Sequence, residues 1–114
     1  MTGLTRLAGI LRERNYDLVH THLPAAFRDD DGRLDLIAPS GGSALTLEGR
    51  RLLFNPGSVG QPRDGISSAS YAVLDLERGE ARWRRAVYDI AGTQAAMRDV
   101  GLPSKLVERL AYGL

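Results

Sequence analysis

The stretch Leu53-Phe54-Asn55-Pro56-Gly57-Ser58-Val59-Gly60-Gln61-Pro62-Arg63-Asp64-Gly65 carries the strongest conformational signal in the chain. Asn55-Pro56-Gly57-Ser58 is turn chemistry: asparagine bonds backbone two residues on, proline fixes φ, and glycine accepts a positive φ. The turn therefore ends the apolar run Arg51–Phe54, read as a strand, and opens a loop rich in Gly, Pro and Ser that runs to Ser68.

On the C-terminal side, Ser70–Leu76 alternates as a strand: Tyr71, Val73 and Asp75 face one way, Ala72, Leu74 and Leu76 the other. Glu77-Arg78-Gly79-Glu80 makes a tight turn and Ala81–Tyr88 is the return strand. In that strand Arg82 and Arg84 share one face, while Trp83 and Arg85 share the other. The arginine stripe is read as a solvated sheet face, with nucleic-acid contact as the alternative; the alternative requires affinity that falls steeply with salt. Asp89 is placed to cap a helix Ile90–Val100 that stops at Gly101, and Leu102-Pro103-Ser104 opens a last helix through Tyr112, before Gly113.

On the N-terminal side, Ala44–Leu47 and Arg51–Phe54 read as a hairpin around Glu48-Gly49-Arg50. Leu34, Leu36 and Ala38 alternate with Asp35 and Ile37 as a weaker strand, bounded by Pro39–Ser43. Arg28–Arg33, with Asp29-Asp30-Asp31-Gly32 at its centre, reads as a turn. Thr2–Arg14 carries Leu4, Leu7, Ala8 and Leu11 at helical spacing, closed by Asn15, and Tyr16–Val19 is a short strand-like run. The expectation is one unit over residues 1–114, of mixed α/β class, with mainly antiparallel strands, one N-terminal helix and two C-terminal helices. No repeat or linker divides it.

The 114 residues suit one domain, and 43% hydrophobic with 25% charged residues is the balance of a globular chain. With no cysteine, disulfide frameworks, thiolate metal sites and cysteine nucleophiles are excluded. A net charge of +1 gives no argument for nucleic acid or a membrane surface. The apolar runs are far shorter than the ~20 residues of a membrane span, and Met1–Ile10 holds Arg6 and no long apolar segment. The cytoplasm is the expected compartment.

His20 and His22 are the only histidines. Two residues apart in an extended segment, they point to one side, so both imidazoles can reach a metal at about 2.0–2.1 Å; two surface-loop histidines are the alternative. Asp29, Asp30 and Asp31 offer oxygens but read better as a solvated turn. Ser58 and Ser70 have no local histidine–acid pattern for a hydrolytic triad, and Gly41-Gly42-Ser43 lacks the surroundings of a phosphate loop.

Several segments taken together resemble one family. They are Asp17-Leu18-Val19-His20-Thr21-His22-Leu23-Pro24, the 53–65 stretch, Ser70–Asp75, Tyr88-Asp89, Gly101-Leu102-Pro103, and Arg109-Leu110 with Gly113. In order and spacing they resemble the C-terminal half of a calcineurin-like metallophosphoesterase, of the small prokaryotic phosphodiesterase branch with GHTH and NPGS motifs. Val19 stands where that branch has glycine.

The resemblance implies a partial sandwich of two sheets flanked by helices, and hydrolase chemistry at a binuclear centre. There, two divalent ions of the manganese, zinc, iron, nickel or magnesium type clamp phosphate oxygens and generate a hydroxide. It implies that His20 and His22 are metal ligands, one on each ion. It places Asn55 and Ser58 in the turn beside the centre, as supporting or substrate-facing groups, although Asn-Pro-Gly-Ser also satisfies a turn unaided. It lets Arg63 meet substrate phosphate, against a plain surface arginine.

The family's remaining ligand motifs, DxH, GDxxD and GNHD, do not occur in these residues. The expectation is therefore a fragment of a phosphodiesterase domain, with no complete catalytic set and no activity alone, whose phosphoester substrate requires a complementing N-terminal half. The competing expectation is a non-catalytic binding or assembly module that forms a homo-oligomer or joins such a half. Neither expects nucleic acid or membrane as a partner.

Overall fold

The computed structural model describes residues 22–39, 42–47 and 51–114. The helix read over Thr2–Arg14, the run Tyr16–Val19 and His20 lie outside the described residues. The described strands are β1 (Ala25–Asp30), β2 (Arg33–Ile37), β3 (Ala44–Thr46), β4 (Leu52–Asn55), β5 (Ala69–Asp75) and β6 (Glu80–Ala86). The helices are α1 (Ile90–Asp99) and α2 (Ser104–Glu108), followed by a 3₁₀ turn, Arg109–Ala111. The strands form two antiparallel sheets of three, ordered β2-β1-β4 and β3-β6-β5. The mixed class expected from the sequence is the one observed.

The sheets pack through a small core. Ala26, Leu45, Ala81 and Trp83 are buried together, with Ile37, Leu47, Leu52 and Phe54 against them. Ala26 opposes both Ile37 and Phe54 in the first sheet, and Ala81 opposes Leu45 in the second. Alanine at these inner positions leaves room for Trp83, which stacks on Phe54 with ring centroids 4.5 Å apart and planes inclined by 27°. The indole Nε1–H donates to the Asn55 carbonyl at 3.0 Å, so the core aromatic also holds the last residue of β4.

Two sequence expectations are corrected. Arg28–Arg33 is not all turn: only Asp31-Gly32 turns, with φ of 49° and 85°, as in the two-residue hairpin loops that need positive φ at both positions. Arg28–Asp30 and Arg33 are paired strand, with Asp30 opposite Arg33 and the Gly32 amide bonded to Asp29 Oδ1 at 2.9 Å.

The other correction is that β3 and β4 are not a hairpin. β3 pairs with β6 and β4 with β1, so the chain changes sheet between them. The flanking backbone follows these partners: the Leu47 amide donates to the Gly79 carbonyl at 2.7 Å, and the Asp29 amide to the Arg51 carbonyl at 3.0 Å. Separating the two strands puts Leu45 and Phe54 on facing sheets around Trp83, and sandwich packing of this kind buries more apolar surface than a lone hairpin.

Asp89 caps α1 as expected, its Oδ1 accepting the Gly92 amide at 2.9 Å. The helix ends before Gly101 at φ 74°. Val107 and Leu110 are buried. The tail then reaches back to the 56–68 loop. The Gly65 amide donates to the Gly113 carbonyl at 3.0 Å, and a Cβ at Gly113 would lie 2.6 Å from Ile66 backbone. Among the described residues no helix is long and apolar enough to cross a membrane.

Candidate functional site

The site is built on the loop that leaves β4. The Gly57 amide donates to Asn55 Oδ1 at 2.7 Å, the asparagine-led turn expected from the residue types. Gly57 has φ 91°, and a Cβ there would lie 2.5 Å from Ser70 Oγ and 3.3 Å from Pro24 Cβ. This close approach requires glycine. Ser70, buried at the start of β5, fastens the loop twice: its Oγ donates to the Pro56 carbonyl at 2.7 Å and its amide to the Ser58 carbonyl at 2.8 Å.

The next four residues form a tight turn. Ser58 Oγ accepts the Gln61 amide at 2.9 Å. Against this turn stands His22, 36 residues earlier, with Nδ1 3.1 Å from Ser58 Oγ and 3.0 Å from the Gln61 carbonyl oxygen. The segment entering β1 and the segment leaving β4 are brought together because Ala25 pairs with Asn55 at that end of the sheet. The fold thus joins His22, Asn55 and Ser58, three residues that the sequence singled out.

Beyond the turn, Pro62 is buried and Arg63 is exposed. Arg63 Nη2 lies 3.4 Å from Gln61 Oε1, so its guanidinium sits beside the residue whose carbonyl faces His22. Asp64 pairs with Arg85 of β6, and Arg85 Nη1 also donates to the Ser68 carbonyl at 3.1 Å. Both side chains are mostly buried, at 17% and 25% exposure. Arg85 is therefore a strut that fixes the far side of the loop. Arg82 of the expected arginine stripe pairs with Glu80 at 2.8 Å, while Arg84 lies exposed.

Asp29, Asp30 and Asp31 are not part of this site. They lie at the opposite end of β1 from His22, about 16 Å along the strand from Ala25 to Asp30 at ~3.3 Å per residue. Among the described residues no group of three histidine or carboxylate side chains gathers to hold a metal. The described part of the site thus offers one imidazole, a tight hydroxyl-bearing turn and an exposed guanidinium.

Sequence reasoning missed Gln61 and Asp64. Gln61 acts through its backbone, for which residue type gives no signal. Ser58 and Gln61 do stand three apart, the spacing at which a hydroxyl caps a turn. Asp64 finds its partner 21 residues away, across a loop and a hairpin.

No family model matches the chain. The uncharacterized protein MJ0912 of Methanocaldococcus jannaschii is 38% identical over 94 residues, which are 82% of this chain and 37% of that protein. The crystal structure of a metallophosphoesterase from Sphaerobacter thermophilus matches with a TM-score of 0.77 and 43% identity, over 83% of this chain and 40% of the other. The chain therefore has a metallophosphoesterase-like fold and spans about two fifths of the length of each of these proteins.

Proposed function

We propose that this chain is the metal-binding C-terminal portion of a calcineurin-like phosphodiesterase, with His20 and His22 as ligands within a binuclear divalent-metal centre. The observation that carries the reading is the seating of His22 on the Ser58–Gln61 turn, in a chain whose matched part is 43% identical in sequence to a metallophosphoesterase. The donor chemistry fits at His22: a backbone carbonyl accepting from one ring nitrogen is the usual support of a metal-ligating histidine. A bound metal pair would supply charge stabilisation at phosphate oxygens and a hydroxide nucleophile. The chain's own part is to present imidazole, to hold Asn55 and Ser58 in the supporting turn, and to offer the Arg63 guanidinium to a phosphoester anion.

Two imidazoles cannot hold two ions or bridge them with a carboxylate. The remaining ligands must come from a segment equivalent to the part of the metallophosphoesterase that the match leaves uncovered. The exposed apolar side chains of the second sheet favour the same need. Leu74 stands on the face of β5 that continues the core face of Trp83 and Ala81, and Leu76 follows in the turn after the strand, yet they are 57% and 81% exposed. Such surface recruits polypeptide. A non-catalytic assembly module would use it equally; hydrolysis gained only when a segment supplying the remaining ligands is added separates the two readings.

Both are tested on one preparation of the 114-residue chain. Alone it is expected to self-associate in the ultracentrifuge, with Leu74→Lys/Leu76→Lys restoring monomer, and to show no manganese-dependent hydrolysis of bis-p-nitrophenyl phosphate. A strictly monomeric wild-type chain overturns the docking face. Turnover abolished by His20→Ala overturns the need for a completing segment.

A further inference from the structure

The contacts of His22 determine more than its place. Nδ1 lies between two oxygens, Ser58 Oγ at 3.1 Å and the Gln61 carbonyl at 3.0 Å. A carbonyl oxygen only accepts. If Nδ1 carried the lone pair, two acceptors would face each other at 3.0 Å with no proton between them. Placing the proton on Nδ1 removes that repulsion and makes a hydrogen bond of ordinary length. In the neutral ring the lone pair is then on Nε2.

The Gln61 carbonyl is itself held. Ser58 Oγ accepts the Gln61 amide, which fixes the Gly60–Gln61 peptide and thereby the residue that carries the carbonyl. Behind the turn, Ser70 grips the carbonyls of Pro56 and Ser58, Pro62 is buried, and Asp64 is paired with Arg85. The chain of cause runs from the Ser58 hydroxyl to the Gln61 amide, to the Gln61 carbonyl, to Nδ1–H, and so to the lone pair on Nε2.

We infer that Ser58 is a positioning residue that acts through Gln61 to lock His22 in its Nδ1-protonated tautomer, making Nε2 the ligating atom. The inference rests on the reading of His22 as a metal ligand only for its purpose; the tautomer itself is a property of the turn. Groups that orient a ligating histidine in this way typically matter 10–100-fold in metal affinity.

The test is ¹⁵N–¹H correlation of the imidazole rings in the ¹⁵N-labelled 114-residue chain at pH 8, above the range in which histidine ordinarily charges. His20→Gln assigns the His22 signals. The expected wild-type ring carries its proton on Nδ1. Ser58→Ala is expected to shift population toward the Nε2-protonated form and to weaken zinc binding about 10–100-fold, while Ser58→Thr, which keeps the hydroxyl, retains both properties. A wild-type ring protonated on Nε2, or a tautomer unchanged in Ser58→Ala, overturns the lock; the wild-type measurement decides even if a variant fails to fold. A ring locked on Nδ1 whose Nε2 signal ignores zinc upholds the lock and overturns only the metal reading.

Discussion

Replacing Gly57 by alanine is expected to cost about 4 kcal/mol of folding free energy, from two separate effects. A non-glycine residue at φ 91° adopts strained backbone, at about 1–3 kcal/mol. The added Cβ also meets Ser70 Oγ at 2.5 Å and Ser70 Cβ at 2.7 Å, and overpacking of this kind costs about 1–3 kcal/mol more. Ser70 is buried and cannot swing away without losing its bond to the Pro56 carbonyl, and Pro24 closes the other side. Guanidinium denaturation followed by the fluorescence of Trp83, the single tryptophan, measures the loss. A midpoint within error of the wild type would contradict the geometry of the turn.

Trp83→Ala should be as damaging, at about 3–5 kcal/mol, the usual range for truncating a buried tryptophan. Trp83 is 4% exposed, stacks on Phe54 across the two sheets, and donates to the Asn55 carbonyl. The alanines around it, Ala26 and Ala81, are too small to fill the space it would leave. Small domains are stable by only about 5–15 kcal/mol, so the variant will be largely unfolded at modest denaturant. The stacked pair adds a separate signature: a Phe54→Leu/Trp83→Phe cycle should show coupling of about 0.5–1.5 kcal/mol. Circular dichroism melts follow all four proteins. Independent, additive effects would show that the ring contact does not join the sheets. Because the indole also holds Asn55, where the functional loop begins, this core residue supports the site directly.

These two residues show what the sequence made legible. The β5–β6 pair was readable because Glu77-Arg78-Gly79-Glu80 is local turn chemistry and because in β6 one face packs and the other is solvated, with Ala81 and Trp83 buried beside the outward Arg82 and Arg84. The Asp89 cap and the Gly101 stop were readable because both act locally. β1 was hidden because Ala25, Ala26 and Phe27 are all buried, leaving no alternation, and because its outer end is polar. The separation of β3 from β4 depends on Trp83 and Phe54, which meet across the sandwich, and nearness in sequence pointed to a hairpin instead. Within the site, Asn55, Ser58 and His22 were legible as residue types and through family resemblance. Their meeting point was not, because it passes through the backbone carbonyl of Gln61. The Asp64–Arg85 strut was hidden for a related reason, since either side chain alone reads as a surface charge.

Under the proposed function, the loop after β4 presents His22 as a metal ligand. Calorimetric titration of the 114-residue chain with zinc, beside His22→Ala, tests it most directly. One zinc per wild-type chain is expected, with at least about a tenfold loss of affinity in His22→Ala and the fold unchanged by circular dichroism. The same affinity and stoichiometry in both proteins would contradict it.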